Sequence, residues 1–358
     1  MPPPHRETLT PGQGMSTGTR RGLVSGFVLR LAREQLRLSR EVLAERLLVS
    51  PDTLAAWETG RRPLTAVPIG QLLTHRHVLL RLGVQPVLLA ALDRALESDV
   101  LLAMLLRNDP GALAGWVLQR DLVEFLVWPL TGQPPEPLKA LTPRTRRGPS
   151  ADRPTLTADE RNRLSAHLRR MAETADGFLL RRQALYLSGY DTIADSADWF
   201  TEQQRRSAPR DALSRWLAER SVASVATMRG DRDRLARFVS TTLVNDDWGE
   251  AANLAYWSYW VGETGPELTD DFMATGRVGS WGGHRLYRHL LDRLAPEHGN
   301  LDLYVHTMWA LIAVKPHLLR NPEPLAEQVG LLLDGGGVSA VARRDLDGIR
   351  YAIRLSRA

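Results

Sequence analysis

Apolar positions recur at helical spacing along most of the chain. Leu29, Ala32 and Leu36 share one helical face, and the stretch from residue 84 to 130 (PVLLAALDRALES, DVLLAMLLR) is helix-forming almost throughout. That stretch breaks once, at Asn108-Asp109-Pro110-Gly111. From Ala158 onward, helices of roughly 10 to 18 residues are predicted between short Gly, Asp and Pro breaks. Leu164, Leu168 and Met171 lie at i, i+4, i+7, and Leu213, Trp216 and Leu217 at i, i+3, i+4. Strand-like alternation with β-branched residues is nearly absent, so the expected fold class is all-α. Short-looped helices favour antiparallel hairpins. No shared signature appears near the ~34-residue spacing of helical repeats, so a helical bundle and a helical-repeat array both stay open for the C-terminal half.

Composition divides this pattern into segments. Residues 1–20 are rich in Pro, Gly and Thr and read as a disordered arm. Residues 21–83 are a run of short helices, 84–130 a helical connector and candidate dimerisation region, and 158–358 an all-helical C-terminal domain. Between them, 131–157 carries prolines 134, 135, 137, 143, 149 and 154 with the cluster Arg144, Arg146, Arg147, a basic linker and the clearest expected boundary. The net charge is +5, unevenly spread: residues 20–83 hold eleven arginines against five acids, whereas 84–130 hold three bases and six acids. A basic front end suits a polyanion such as nucleic acid. All but Lys139 and Lys315 of the 46 basic residues are arginine, the usage of a high-GC genome. With no cysteine, the chain has no disulfide framework, thiolate metal site or Cys nucleophile. No apolar run approaches the ~20 residues of a membrane span, and the first residues contain no signal-like apolar core. A cytoplasmic protein without membrane contact is expected.

One stretch carries a function. Residues 29–62 read LRLAREQLRLSREVLAERLLVSPDTLAAWETGRR, the pattern of three short packed helices. Ser39 is placed to cap the second, with Val42, Leu43 and Leu47 available to the core. Three residues follow, Leu48-Val49-Ser50; Ser50 is an N-cap, Pro51 suits the first helical position, and Gly60 closes the third helix. Two helices joined by such a turn form a helix-turn-helix, whose second helix fits a major groove. The spacing Leu38-Ser39-x3-Leu43-Ala44-x2-Leu47-x-Val49-Ser50-x6-Trp57-Glu58-x-Gly60-x-Arg62 resembles the Cro/cI-type (XRE) helix-turn-helix regulator family, in an actinobacterial-like form.

The resemblance implies a lambda-repressor-like fold, binding to double-stranded DNA, usually as a homodimer, and control of transcription. Carried onto this chain, it puts Asp52, Thr53 and Ala56 of the helix Pro51–Thr59 toward base edges. Arg40, Ser50, Thr59, Arg61 and Arg62 are placed for the phosphate backbone. Asp52 also reads as a residue that only satisfies the positive end of its own helix, and the arginines as solvated charges. Two positions depart from the family, which commonly has glycine where this chain has Arg37 and Leu48. A non-glycine residue at positive φ costs on the order of 1–2 kcal/mol. The reading face also lacks the Arg, Asn or Gln that recognise guanine or adenine bidentately, so DNA shape, the arm arginines Arg20 and Arg21, or dimer spacing is expected to carry specificity.

Elsewhere the chemistry is sparse. His75 and His77 cannot share a helical face, and His284 and His289, five apart, are not read as a ligand set. Neither lysine follows a Gly-rich loop, and no Gly-x-Ser-x-Gly elbow occurs. No catalytic residue, metal or cofactor is assigned, and no enzymatic activity is expected. The aromatic group Tyr256, Trp257, Tyr259 and Trp260 covers two adjoining helical faces, open to three readings: core, interface or ligand pocket, with Trp281 and Trp309 as candidate partners. The favoured reading is a DNA-binding transcription regulator. The alternatives are a protein-interaction scaffold, or a regulator answering a peptide or small-molecule effector through a helical-repeat sensor domain.

Overall fold

The computed structural model describes residues 22–114, 118–142, 153–175, 177–190, 198–200, 202–203, 212–228, 230–231, 233–244, 246–264, 281–296, 300–336 and 338–357. Among them every regular element is helical and none is a strand. The N-terminal half contains α1 (Leu23–Gln35), α2 (Arg40–Arg46), α3 (Pro51–Glu58), α4 (Ile69–Arg81), α5 (Pro86–Leu106) and α6 (Arg120–Thr131). Then come α7 (Ala158–Thr174), α8 (Phe178–Ser188), α9 (Ala212–Met228), α10 (Asp233–Phe238), which runs on into a π-helical stretch Val239–Leu243, and α11 (Asp247–Trp260). The chain finishes with α12 (His284–Leu291), α13 (Leu301–Val314), α14 (Glu323–Gly335) and α15 (Ala340–Ser356). Among the described residues no helix is long and apolar enough to cross a membrane.

The helix starts follow local capping chemistry. Thr157 and Glu160 form a reciprocal capping box at α7, and the Asp246 carboxylate accepts from the backbone N–H of Trp248 and Gly249 at α11. Helix faces follow the apolar spacing: Leu164, Leu168 and Met171 are buried, as are Leu213, Trp216 and Leu217. Val42 departs from its expected place in the core and is exposed, because the buried stripe of α2 runs through Leu43, Ala44 and Leu47.

Two hydrophobic cores meet inside α5 and α6. Leu88, Leu89, Leu92 and Ala95 of α5 join Val24, Val28, Leu43 and Leu54 of the first three helices, whereas Leu101, Leu102, Leu105 and Leu106 join the C-terminal core. α6 is split in the same way: Phe125 and Trp128 lie in the first core, and Leu122, Val123, Leu126 and Val127 in the second. The Trp128 ring stands edge-on to Phe27 of α1 at 5.2 Å. Among the described residues, α5 and α6 are therefore a layer that both cores share. The physical reason is that each helix carries apolar residues on more than one face, so one core cannot bury them all.

The described ends of the Pro-rich segment are also packed. Leu138 is buried in the first core and Leu156 in the second, and Leu156 N–H donates to the Pro129 carbonyl at 3.3 Å. The cluster Arg144, Arg146, Arg147 and the N-terminal arm lie outside the described residues.

Candidate nucleic-acid interface

The first three helices are joined by two turns of the same kind. Arg37 and Leu48 each have φ of 55° and are followed by backbone bonds back into the preceding helix, Leu38 N–H to Arg33 O (3.2 Å) and Val49 N–H to Ala44 O (3.0 Å). These are the two places where glycine was expected, and here L-residues hold the left-handed conformation. Leu48 is 91% exposed, so its side chain stabilises nothing in return. After each turn a serine caps the next helix: Ser39 Oγ accepts from Val42 N–H (3.3 Å) and Ser50 Oγ from Thr53 N–H (3.1 Å). Pro51 fills the first position of α3, and Gly60, at φ 69°, leads the chain out.

α3 packs directly on α1. A Cβ on Gly26 would sit 2.1 Å from the Trp57 carbonyl oxygen, so only glycine permits this crossing. The Trp57 ring lies 5.5 Å from His75 of α4, and burial depresses the pKa of that imidazole.

A buried carboxylate locks the three helices together. The Glu58 side chain is fully buried and accepts from Arg33 through Nε (2.5 Å) and Nη2 (3.1 Å), and from Arg40 Nε (2.8 Å). Arg33 also donates to the Leu38 carbonyl at 3.0 Å. One residue of α3 thus holds the end of α1 and the start of α2, and the forked guanidinium geometry fixes their angles. A second carboxylate arrives from far away. Asp99 of α5 accepts from the backbone N–H of Val24 (3.0 Å) and Ser25 (2.8 Å), capping α1, whose own preceding residue Gly22 has no side chain to do so. Burial outweighs those hydrogen bonds and raises the Asp99 pKa to about 6.

Placed on this frame, the sequence-derived residues separate. Ser50, Asp52, Thr59, Arg61 and Arg62 are exposed, and Thr53 is half-buried with its hydroxyl 2.9 Å from that of Ser50. Thr59 Oγ1 donates to the Ala55 carbonyl at 2.8 Å. Arg40 is partly committed inward, since Glu58 holds its Nε while 37% of the side chain stays exposed. Ala56 must be corrected. It is only 6% exposed and faces inward beside Trp57, and its carbonyl accepts from Arg62 N–H at 3.0 Å, so it has no surface to offer a base. The outward face of α3 instead begins at Pro51, Asp52 and Thr53.

Residues 26–99 match the family model of a helix-turn-helix domain. This segment is a Cro/cI-type (XRE) helix-turn-helix domain. No curated protein and no solved structure matches the chain. The helix-turn-helix domain as matched ends at the residue that caps its first helix, Asp99, well beyond the boundary expected at 83. Neither Glu58 nor Asp99 was singled out as a functional residue from the sequence. The signal available for Asp99 was weak, since Asp93 and Glu97 stand in the same helix and only the fold shows which acid is buried.

The aromatic group lies elsewhere, on α11. Tyr256, Trp257, Tyr259 and Trp260 are all buried, so none presents a surface to a partner chain. Tyr259 donates its hydroxyl to the Leu118 carbonyl at 3.2 Å. The other three line a cavity of about 250 Å³. Their ring neighbours are Trp216, Tyr186 and Tyr304, whereas Trp281 lies against Lys315 and Trp309 against Gly348.

Proposed function

We propose that the chain is a transcription regulator that binds duplex DNA as a homodimer, with α3 docked in the major groove, and that it catalyses no reaction. The observation that carries the reading is the helix-turn-helix domain itself, with the capped N-terminus of α3 exposed and the exposed Arg61 and Arg62 just past its C-terminus. In this reading Asp52 and Thr53 approach base edges at the start of α3. Arg61, Arg62, Ser50, Thr59 and the outer edge of the Arg40 guanidinium meet phosphates. The Glu58 carboxylate supports that role for Arg40, since it holds the side chain at Nε while over a third of that side chain stays exposed. Three arginines and a helix N-terminus suit the backbone better than Asp52 suits any base other than cytosine, so shape and half-site spacing carry specificity.

The homodimer finds its support on α4, where Ile69, Leu73 and Leu80 form an exposed apolar stripe at i, i+4 and i+11. α5 and α6 give most of their apolar residues to the two cores, so α4 offers the larger free apolar stripe. The test is binding of the purified chain to DNA flanking its own gene at ~50 and ~200 mM salt, with a footprint. Protection of two half-sites about one helical turn apart is expected. Arg40→Ala and Arg62→Ala should each weaken binding to every sequence alike and flatten the salt slope by about 0.9 per lost phosphate contact. Unchanged slopes in both variants would refute the docking.

A further inference from the structure

The cavity beside α11 is built around two buried, unneutralised arginines. Arg182 of α8 and Arg220 of α9 are 6% and 5% exposed, and neither forms an ion pair among the described residues. Both guanidinium groups lie over the Tyr256 ring, at 4.6 and 3.9 Å from its centroid; Arg182 also faces Trp260 and Arg220 also faces Trp257. Aromatic faces attract a cation but accept few of its hydrogen bonds. Accordingly, among the described residues, Nη1 of Arg182 and both Nε and Nη2 of Arg220 have no acceptor, and Arg220 Nη1 has only Ser224 Oγ at 3.4 Å.

The rest of the lining adds donors and positive charge. Its one carboxylate, Glu124, is already held by Arg120 Nε at 2.8 Å and by Glu136 N–H at 2.9 Å. Arg293 and Arg120 flank His289, and burial together with those two cations keeps its imidazole neutral. Tyr186 and Tyr190 stand 3.3 Å apart at their hydroxyls, and burial holds both phenols protonated. Burial also lowers the Arg220 pKa to about 9, the direction expected of a cation waiting for a counter-charge.

We propose that this cavity binds a small aromatic dianion, a phosphate monoester or dicarboxylate carried on one flat ring, with Arg182 and Arg220 on its oxygens and Trp257 and Trp260 against the ring. Two unpaired guanidiniums call for two negative charges, and their forked N–H groups match carboxylate or phosphate oxygens. The cavity volume, about 250 Å³, lies just under the ~300–1,000 Å³ usual for small-molecule sites, so a single ring is the size it admits. The site is one helix away from the helix-turn-helix domain. Arg120, Val123 and Glu124 of α6 line the cavity, while Phe125 and Trp128 of the same helix pack in the core of that domain. An occupant that draws on the α6 side chains therefore acts on the helix behind α1.

The test is calorimetric titration of the full chain with phenyl phosphate and with phthalate, using inorganic phosphate and benzyl alcohol as comparators. Saturable one-to-one binding of at least one dianion is expected, at least tenfold tighter than either comparator. Arg182→Met and Arg220→Met should each reduce it at least tenfold, and Arg220→Lys should weaken it by less. The urea midpoint of the unliganded Arg220→Met chain should stay level or rise, because an uncompensated buried charge has been removed. Four results overturn the proposal: no saturable binding of either dianion, equal affinity for inorganic phosphate, binding unchanged in both Met variants, or a lowered midpoint in unliganded Arg220→Met. No DNA enters this readout, so it stands apart from the regulator reading.

Discussion

Replacing Glu58 by alanine should separate the structural from the DNA-facing arginines. The substitution removes three charge-assisted hydrogen bonds, two to Arg33 and one to Arg40, from a fully buried carboxylate. Arg33 is only 12% exposed and would be left as a cation with little water to replace its partner. Breaking a buried pair in this way typically costs about 3–5 kcal/mol, a large share of the ~5–15 kcal/mol that holds a domain folded. Arg40 is different, since water reaches more than a third of its side chain. Deleting it leaves Glu58 both of its Arg33 hydrogen bonds and strands no buried cation, so it should cost less, about 1.5–3 kcal/mol for one hydrogen bond to a charged group. Urea unfolding of the full chain, followed by far-ultraviolet circular dichroism, measures both. Glu58→Ala and Arg33→Met should each be strongly destabilising and strongly non-additive in the double variant, because the second change removes a partner already lost. Arg40→Ala should lower the midpoint less than either while weakening DNA binding. A Glu58→Ala loss below ~1 kcal/mol, or simple additivity with Arg33→Met, would refute the lock.

Three further outcomes follow from the same geometry. Gly26→Ala should unfold or strongly destabilise the domain, since its methyl would sit 2.1 Å from the Trp57 carbonyl and the ~1 kcal/mol gain in helix propensity cannot offset that clash; thermal melts measure it. Leu48→Gly should stabilise by about 1 kcal/mol, because φ 55° is strained for leucine and the side chain is exposed; a lower denaturation midpoint would contradict this. The folded pKa of Asp99, about 6, lies above its ordinary 3.8, so the folded state holds that proton more tightly than the unfolded state does. Its stability contribution is therefore fully present below 3.8 and is lost, up to about 3 kcal/mol, as pH rises through 6. Asp99→Asn should remove that slope from urea midpoints measured between pH 4 and 7.

Much of the helix-turn-helix domain is determined within a few residues of sequence, and those parts were legible. Ser39, Ser50, Pro51 and Gly60 act on backbone groups at most four positions away, so residue type and spacing suffice to read them. The all-helical class was legible for the same reason, because apolar spacing is itself a local property. Arg37 and Leu48 show the limit of that reading: their places at the turns were visible, but that the chain holds both at positive φ emerged only in the fold. Ala56 and Val42 each lie one residue from where the expected face would put them, because the direction of a short helix's buried stripe depends on what it crosses. The partners of Glu58 are 18 and 25 residues away, and those of Asp99 74 and 75. No local pattern specifies such pairings, since they exist only once α1, α3 and α5 have packed. The cavity is the extreme case. Arg182, Arg220 and Tyr256 stand on three separate helices, and each alone reads as an ordinary helical residue. Only the packing of those helices takes both guanidiniums out of water, stacks them on one ring and leaves their donors unfilled, because burial belongs to the assembled structure and not to the chain.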